Sequence, residues 1–366
     1  MDDTKFLKLA VKLARKGLGY TEPNPMVGAV VVKDGKIIST GYHKKFGDIH
    51  AERMALEKIN EKDTTLYVSL EPCSHFGKTP PCTDIIIEKK VKKVVIASVD
   101  TNPRISNKGI EILKENGIEV SVGHLDEMNR ELNSHYFTSM KYSRPYISLK
   151  AGVSIDGKLT DKYNNSRWMT GEYLREISHN FRGEFSSIMV GYKTVIKDNP
   201  NLKLNKENRK DKKLVRVILD SKNRLNADKF NQLNIYKETD IFPTYIFSDI
   251  SYKANKNDKI NKTNKKATKH FYVKSSETGL NIVDILDTIY KNNIASILVE
   301  GGGKLISTFL KEKLFDEIIL FTERKIIGGK DSVELFSDGT DLDKPVNFSS
   351  SKIIETNNGY IFRGTK

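Results

Sequence analysis

Strand-length apolar runs and helix-length segments alternate along almost the whole of this 366-residue chain, and that alternation constrains its fold most tightly. Phe6, Leu9, Ala10, Leu13 and Ala14 fall on one face of a predicted helix that Gly17 and Gly19 end. VGAVVVK and KIISTGY flank Asp34-Gly35, a strong hairpin signal. Next come a helix from about His50, the strand TLYVSL, a Pro-, Gly- and Cys-containing loop, and a helix from about Cys82. The strand KVVIAS, the helix KGIEILKENG, the short strand IEVSV and one longer helix, DEMNRELNSHYFTSMKY, complete the first half. The pattern predicts a mixed sheet covered by helices on both faces.

At roughly 150 residues per domain the length suggests about two domains, and Arg144-Pro145 reads as the seam: 1–144 and 145–366. Past it the alternation resumes with the strand PYISLKAGVS, a helix near 171–183, and the strands SSIMVG, LVRVILD, TYIFS and HFYV. The helix IVDILDTIYKNN, the strand ASILVEG, a helix after Gly303, the strand DEIILFTE and a last strand near Tyr360–Arg363 follow. No repeat relates the halves.

Hydrophobic residues make up 38% and charged residues 30% of the chain, enough to bury a sizeable core. No apolar run approaches the ~18 residues of a membrane span, and the N-terminus lacks the apolar segment of a signal peptide. An integral membrane protein is excluded on this reading and a cytoplasmic setting is expected. Cys73 and Cys82 are the only cysteines, too few for a disulfide framework. The net charge is +14, and one stretch, Lys253 to Lys269, supplies +6 of it with seven Lys and one Asp. That stretch reads as a solvated loop; no nucleic-acid partner is expected from it.

The sharpest chemical signal is His50-Ala51-Glu52 followed by Pro72-Cys73 and Cys82. One His and two Cys are three ligands suited to zinc, and three protein ligands leave a position open, as in catalytic sites. The ligands are expected where helices begin, since a helix N-terminus favours a thiolate. Glu52, two residues from a ligand, is placed to move protons to a ring nitrogen and a leaving amine. H-x-E followed by P-C…C is the pattern of zinc nucleobase deaminases, although here eight residues, not two, separate the cysteines.

The segments PCSHFGKTPPC and PNPMVGAVVV, with HAE between them, resemble the deaminase half of the bifunctional riboflavin-biosynthesis deaminase/reductase family. KAGVSIDGKLT, SRWMTG, FRGEFSSIMVGYKTVIKDNPNL and ILVEGGGKL resemble its reductase half, so that nearly the whole chain matches in the family's order. The resemblance implies an N-terminal cytidine-deaminase-like three-layer α/β/α domain and a C-terminal dihydrofolate-reductase-like α/β domain. It implies hydrolytic deamination of 2,5-diamino-6-ribosylamino-4(3H)-pyrimidinone 5′-phosphate, then reduction of the ribosyl chain to ribityl. It implies zinc and NADPH as cofactors, with small pyrimidine nucleotides as partners; a homo-oligomer is also expected.

By the same resemblance His50, Cys73 and Cys82 hold zinc and Glu52 shuttles protons, while Asn24, His43, His75, Lys78, Thr79, Asp100 and Asn102 meet the first substrate. Gly152, Trp168, Thr194, Asp198 and Ser221 fall along NADPH with Gly302, Gly303, Lys304, Leu305, Ile306, Ser307 and Thr308. Ser166, Arg182, Leu202 and Glu300 fall at the second substrate. The residues allow plainer roles: Asn24 as a turn residue in Pro-Asn-Pro, Trp168 as a core aromatic, Arg182 as a helix-end cation. LVEGGGKL by itself is strand, glycine turn and helix, a weak phosphate signal, and not the G-x-G-x-x-G fingerprint. The chain departs from the family at Asn205, where an Arg usually meets the substrate phosphate; Lys203, Lys206 and Arg209 are nearby cations.

Two other readings remain open. A nucleic-acid deaminase fused to an unrelated domain would carry the two-residue cysteine spacing. A basic RNA-binding protein with a structural zinc would leave Glu52 and the second half unexplained.

Overall fold

The computed structural model describes residues 3–366 except 78, 103–104, 164, 166–168, 205–211, 254–266, 278 and 337–344. The chain forms two compact units, Met1–Arg144 and Pro145–Lys366.

The first unit runs α1 (Asp3–Ala14), β1 (Gly28–Lys33), β2 (Lys36–Tyr42), α2 (Ala51–Leu56), β3 (Thr65–Leu70), α3 (Cys82–Glu88), β4 (Lys93–Ser98), α4 (Lys108–Glu115), β5 (Glu119–Val122), α5 (Asp126–Leu132) and α6 (Ser134–Tyr142). Its sheet order is β2-β1-β3-β4-β5. The hairpin β1–β2 turns at Asp34 (φ 48°) and Gly35 (φ 74°), two left-handed residues in succession, as a tight hairpin requires. β3, β4 and β5 run parallel.

Alternation along the strands loads both faces of the sheet. Val31, Leu66, Val68, Val94 and Ile96 pack on one side with Ala51, Ile85 and Leu113. Val30, Val32, Tyr67 and Val95 pack on the other with Phe6, Leu7 and Ala10. Each fully buried Val, Leu or Ile contributes on the order of 1.5–3 kcal/mol, so the two apolar faces fix the three-layer arrangement.

One predicted element is divided. The expected long helix over 126–142 breaks at Asn133, whose φ of −102° and ψ of 26° leave the helical region. Its buried side chain is committed elsewhere: Oδ1 accepts from the Met26 amide at 2.8 Å and Nδ2 donates to the Met26 carbonyl at 3.0 Å. α2 is also shorter than HAERMALEKIN suggests and stops at Leu56.

The second unit contains β6 (Tyr146–Ser154), α7 (Glu172–Phe181), β7 (Ser187–Gly191), α8 (Tyr192–Asp198), β8 (Val215–Leu219), β9 (Thr244–Asp249), β10 (Thr268–Val273), β11 (Ser275–Ser276), β12 (Gly279–Leu280), α9 (Ile282–Lys291), β13 (Ser296–Val299), α10 (Gly303–Lys311), β14 (Glu317–Glu323), β15 (Ser350–Thr356) and β16 (Gly359–Thr365). Among the described residues its main sheet has nine strands in the order β10-β9-β8-β7-β13-β6-β14-β16-β15. The first seven are parallel, and β16 and β15 return antiparallel. The parallel strands are near-continuous apolar runs because both faces are covered.

β10 corrects the reading of Lys253–Lys269 as one solvated loop, since Thr268 and Lys269 already pair with Thr244 and Tyr245 of β9. Most of the remaining lysine stretch lies outside the described residues. α8 and β15 have no counterpart in the predicted elements. β15 is exposed along almost its whole length and therefore lacks the half-buried alternation that marks a strand in a sequence.

Candidate functional site

The end of β3 and the starts of α2 and α3 bring His50, Cys73 and Cys82 together. His50 immediately precedes α2, and Cys82 is the first residue of α3. Gly41 of β2 lets α2 press directly on the sheet: a Cβ there would stand 2.2 Å from the Ala51 carbonyl oxygen. Cys73 is not at a helix start as expected but in the loop after β3. It nonetheless takes the amides of α3's first turn, its carbonyl accepting from Cys82 N at 3.0 Å and Thr83 N at 3.2 Å. Its sulfur lies 3.4 Å from the Cys82 amide. The long cysteine spacing is thus closed by the backbone of the second cysteine itself.

His50 Nδ1 lies 3.3 Å from Cys82 Sγ and 3.4 Å from Cys73 Sγ, and the three donor atoms all lie within 4.8 Å of one another. A tetrahedral zinc site with arms of about 2.1 Å to nitrogen and 2.3 Å to sulfur needs edges of about 3.6 Å. The donor set therefore fits zinc in chemistry, and its two nitrogen–sulfur edges fit to a few tenths of an ångström. The Cys82 thiol hydrogen bond, with His50 beside it, pulls the Cys73 thiol down into the thiolate range. Thr79 Oγ1 stands 3.4 Å from the other ring nitrogen of His50 and can fix the ring's orientation.

Glu52 is buried on α2 beside this cluster. Burial pushes its carboxyl up to about 7, against the nearby His50 charge. His43 is buried as well, with its ring 5.4 Å from that of His50 in an edge-on arrangement. Its Nδ1 meets the Ile49 carbonyl at 3.2 Å, while Nε2 has no partner among the described residues. Burial lowers the pKa of His43, so the neutral ring offers one free polar atom at the site.

Asp100 is buried at the end of β4, both oxygens accepting from the Tyr136 hydroxyl at 2.9 and 3.0 Å, and Oδ1 also from the Asn102 amide at 2.8 Å. Asn24 sits in the loop before β1. That loop is tied to His43 through the Val27 carbonyl and to α6 through Asn133 and the 2.7 Å Glu22–His135 pair. No hydrogen bond among the described residues joins the Asn24 side chain to the cysteine cluster. His75 is exposed on the cysteine loop, and Lys78 lies outside the described residues.

Glu71 is the residue the sequence did not single out. Its buried carboxylate accepts from the amides of Asp100 at 3.2 Å, Asn107 at 3.1 Å and Gly109 at 3.1 Å. It thereby fixes the β4–α4 loop that carries Asp100 and Asn102. Gly109 is required there, because a Cβ would stand 2.1 Å from the Pro72 carbonyl oxygen. An acid immediately before Pro72-Cys73 was the available signal.

A cleft of about 780 Å³ opens in the second unit. Gly152, Thr194, Asp198, Ser221, Arg182 and Glu300 all line it, as do Gly302, Gly303, Lys304, Leu305 and Thr308. Ile306 and Ser307 do not: both are buried, on the face of α10 that packs inward. Leu202 is also buried, among Leu204, Leu214 and Leu225, and its backbone is left-handed (φ 48°). Ser166 and Trp168 lie outside the described residues, as do Asn205, Lys206 and Arg209; Lys203 pairs its ammonium with Glu238.

A largely shielded charge cluster lines the cleft, its side chains about 12% exposed. Arg182 donates to Glu300 twice, Nε to Oε1 at 2.9 Å and Nη2 to Oε2 at 2.8 Å, and Lys150 approaches Oε2 at 3.7 Å. Burial would push the Glu300 carboxyl up, but the Arg182 and Lys150 charges outweigh it and hold the group at about 2. His179, beside them, is driven down to about 4 by burial and by the two cations. Lys150 and His179 line the cleft and were not among the predicted residues.

The rim fits a dinucleotide. The cleft collects residues that follow the C-terminal ends of the parallel strands β7, β8 and β13, where open α/β sheets bind ligands. Cβ atoms placed on Gly191 and Gly302 would meet nothing within 4 Å, so the backbone is open to a close ligand there. Gly302 precedes α10, whose N-terminal amides favour an anion.

A family model described as the RibD C-terminal domain matches residues 145–362, and one described as the cytidine and deoxycytidylate deaminase zinc-binding region matches residues 1–98. The riboflavin biosynthesis protein RibD of Aquifex aeolicus is 43% identical over 328 residues, covering 89% of this chain and 88% of that protein. The RibD of Bacillus amyloliquefaciens is 37% identical, covering 91% and 87%. A crystal structure of a diaminohydroxyphosphoribosylaminopyrimidine deaminase/5-amino-6-(5-phosphoribosylamino)uracil reductase from Thermotoga maritima superposes with a TM-score of 0.85. It is 36% identical and covers 99% of this chain and 98% of its own.

Proposed function

The chain belongs to the RibD family, the bifunctional deaminase/reductases of riboflavin biosynthesis, and from that premise we propose that its two reactions run at two sites. The zinc-dependent deamination of 2,5-diamino-6-ribosylamino-4(3H)-pyrimidinone 5′-phosphate belongs to the first unit. The NADPH-dependent reduction of the ribosyl chain to ribityl belongs to the second. The observation that carries the assignment is the triangle of His50, Cys73 and Cys82 donors with the buried carboxyl of Glu52 beside it.

When bound, zinc lowers the pKa of a water toward about 7. His50, Cys73 and Cys82 would hold the ion, and Thr79 orients the His50 ring. Glu52 takes one proton from the attacking water and gives it to the ring nitrogen, then takes the second from the newly bound hydroxyl and gives it to the amine, which departs as ammonia. A carboxyl shielded from bulk water suits that repeated transfer. Asn24 reads the pyrimidine edge as donor and acceptor, and His43 offers its unpartnered Nε2 to the substrate. Asp100, Asn102, His75 and Lys78 complete the contacts of this substrate.

In the second unit the glycine turn and Lys304 cradle the dinucleotide phosphates. Gly152, Thr194, Asp198 and Ser221 lie along the same ligand, with Trp168. Arg182 and Glu300, locked as a bidentate pair, present a fixed edge to the sugar phosphate, together with Ser166 and the backbone at Leu202. NADPH supplies the hydride; the pair and Lys150 hold the ribosyl chain still while it is reduced.

A cytoplasmic setting suits Cys73 and Cys82 as free thiols. A homo-oligomer belongs to the same reading, supported by Ile353 and Ile354, which are exposed on the edge strand β15. The purified chain, supplied with zinc and NADPH, tests the proposal in two assays. It should release ammonia from the diaminopyrimidine nucleotide and oxidise NADPH only with the deaminated product. Ammonia release from RNA instead would overturn it.

A further inference from the structure

Three guanidinium groups, those of Arg175, Arg182 and Arg224, line the cleft of the second unit, and that of Arg224 stands on the β8 side. Arg224 follows the C-terminal end of β8 and lines the cleft with Ser221 and Tyr192. Its Nε donates to Asp220 Oδ1 at 3.1 Å, and its guanidinium carbon lies 3.5 Å from the centre of the Tyr192 ring. A planar cation held by a carboxylate on one edge and an aromatic face beneath has a fixed direction. Its Nη1 and Nη2 have no hydrogen-bond partner among the described residues.

The acid at this strand end matters as much. In dinucleotide sites an exposed Asp or Glu near the ribose accepts from the 2′-hydroxyl and so selects NAD, while an Arg accommodates a 2′-phosphate. Asp220 occupies such a position but is wholly buried. One of its oxygens takes Arg224 Nε and the other accepts from the Leu225 amide at 2.7 Å. The carboxylate is therefore turned inward and the guanidinium faces the cleft. The glycine turn after β13 lies two strands away across the sheet, about 10 Å at ~4.8 Å per strand. That separation suits a pyrophosphate on the turn and an adenosine ribose beyond it. Lys193, next to Tyr192, adds a positive charge to the same rim.

We propose that Arg224, with the Ser221 hydroxyl as a second donor, binds the ribose 2′-phosphate of the dinucleotide and is the residue that selects NADPH over NADH. The proposal rests on the reading of this cleft as the dinucleotide site. Arg offers two parallel donors to a dianionic phosphate, and such charge-assisted contacts are about twice as strong as neutral ones.

The test is calorimetric binding of 2′,5′-ADP and 5′-ADP to the full zinc-loaded chain, without turnover. The unaltered chain should hold 2′,5′-ADP at least about tenfold more tightly, the scale of a charged hydrogen bond. Arg224→Met keeps the apolar stem and should bring the two affinities within about threefold, with that for 5′-ADP little changed; Arg224→Lys should fall between. An unchanged ratio in Arg224→Met would remove Arg224 from the 2′-phosphate. Parallel loss of both affinities in Met and Lys variants would make it a structural prop and would equally overturn the proposal, as would equal binding of both probes by the unaltered chain. If the unaltered chain bound neither probe, the dinucleotide reading itself would fall, and this inference with it.

Discussion

If His50, Cys73 and Cys82 hold the zinc as proposed, metal affinity in the first unit turns on three side chains whose separations are set by backbone. Cys73→Ser exchanges a soft thiolate for a hydroxyl that stays protonated at neutral pH, and leaves two ligands. Metal analysis after gel filtration should find well under half of the zinc retained; a full, tightly held complement would contradict the assignment. Glu71 is a different kind of residue, since it orders the loop of Asp100 and Asn102 through three backbone amides. Glu71→Gln keeps one acceptor and sets an NH₂ against the remaining donors. A buried donor left without its acceptor costs about 1–3 kcal/mol. The variant should melt several degrees lower in the first unit, with a raised KM for deamination and an unaltered reductase rate. A melting curve and deaminase KM identical to those of the parent would show that the carboxylate does not organise the loop.

At the scale of elements, legibility followed burial pattern. β1, β3, β4, β7 and β13 are almost wholly buried apolar runs, and each is visible in the sequence as such. β15 is not, because its seven residues are almost all exposed and its existence depends on pairing with β16. The break between α5 and α6 was equally hidden: nothing near Asn133 in sequence announces that its amide is needed by Met26, more than a hundred residues earlier. The clustering of His50, Cys73 and Cys82 was legible because its signal lies in residue type and order. Lys150 and His179 were not, since side chains that face a cleft are defined only by what folds against them, and Glu71 had only its place before Pro72-Cys73 to mark it.

The element ends that meet in the cleft of the second unit make one further expectation concrete. Arg182, after α7, and Glu300, after β13, are each about 12% exposed; breaking a buried pair by removing one partner costs about 3–5 kcal/mol, and Lys150 beside Glu300 holds the cost at Arg182 to the lower end. Arg182→Ala should therefore destabilise the second unit in urea by that order, and more than Arg182→Ala combined with Glu300→Gln. Additive losses in this double-mutant comparison would mean the two side chains do not work as a pair.

For the whole molecule, the central claim is that one chain carries two chemically independent sites. The triad and Glu52 belong to Met1–Arg144, and the cleft residues belong to Pro145–Lys366. Glu52→Gln is nearly isosteric and leaves every proposed zinc ligand in place, but cannot take a proton. The decisive measurement is a pair of rates on that one variant: ammonia release from the diaminopyrimidine nucleotide, and NADPH oxidation with the deaminated nucleotide supplied directly. Deamination should fall by at least about 10²–10⁴-fold, with zinc content and the reductase rate unchanged. Near-normal ammonia release, or loss of reduction in a variant that remains folded and zinc-loaded, would contradict it.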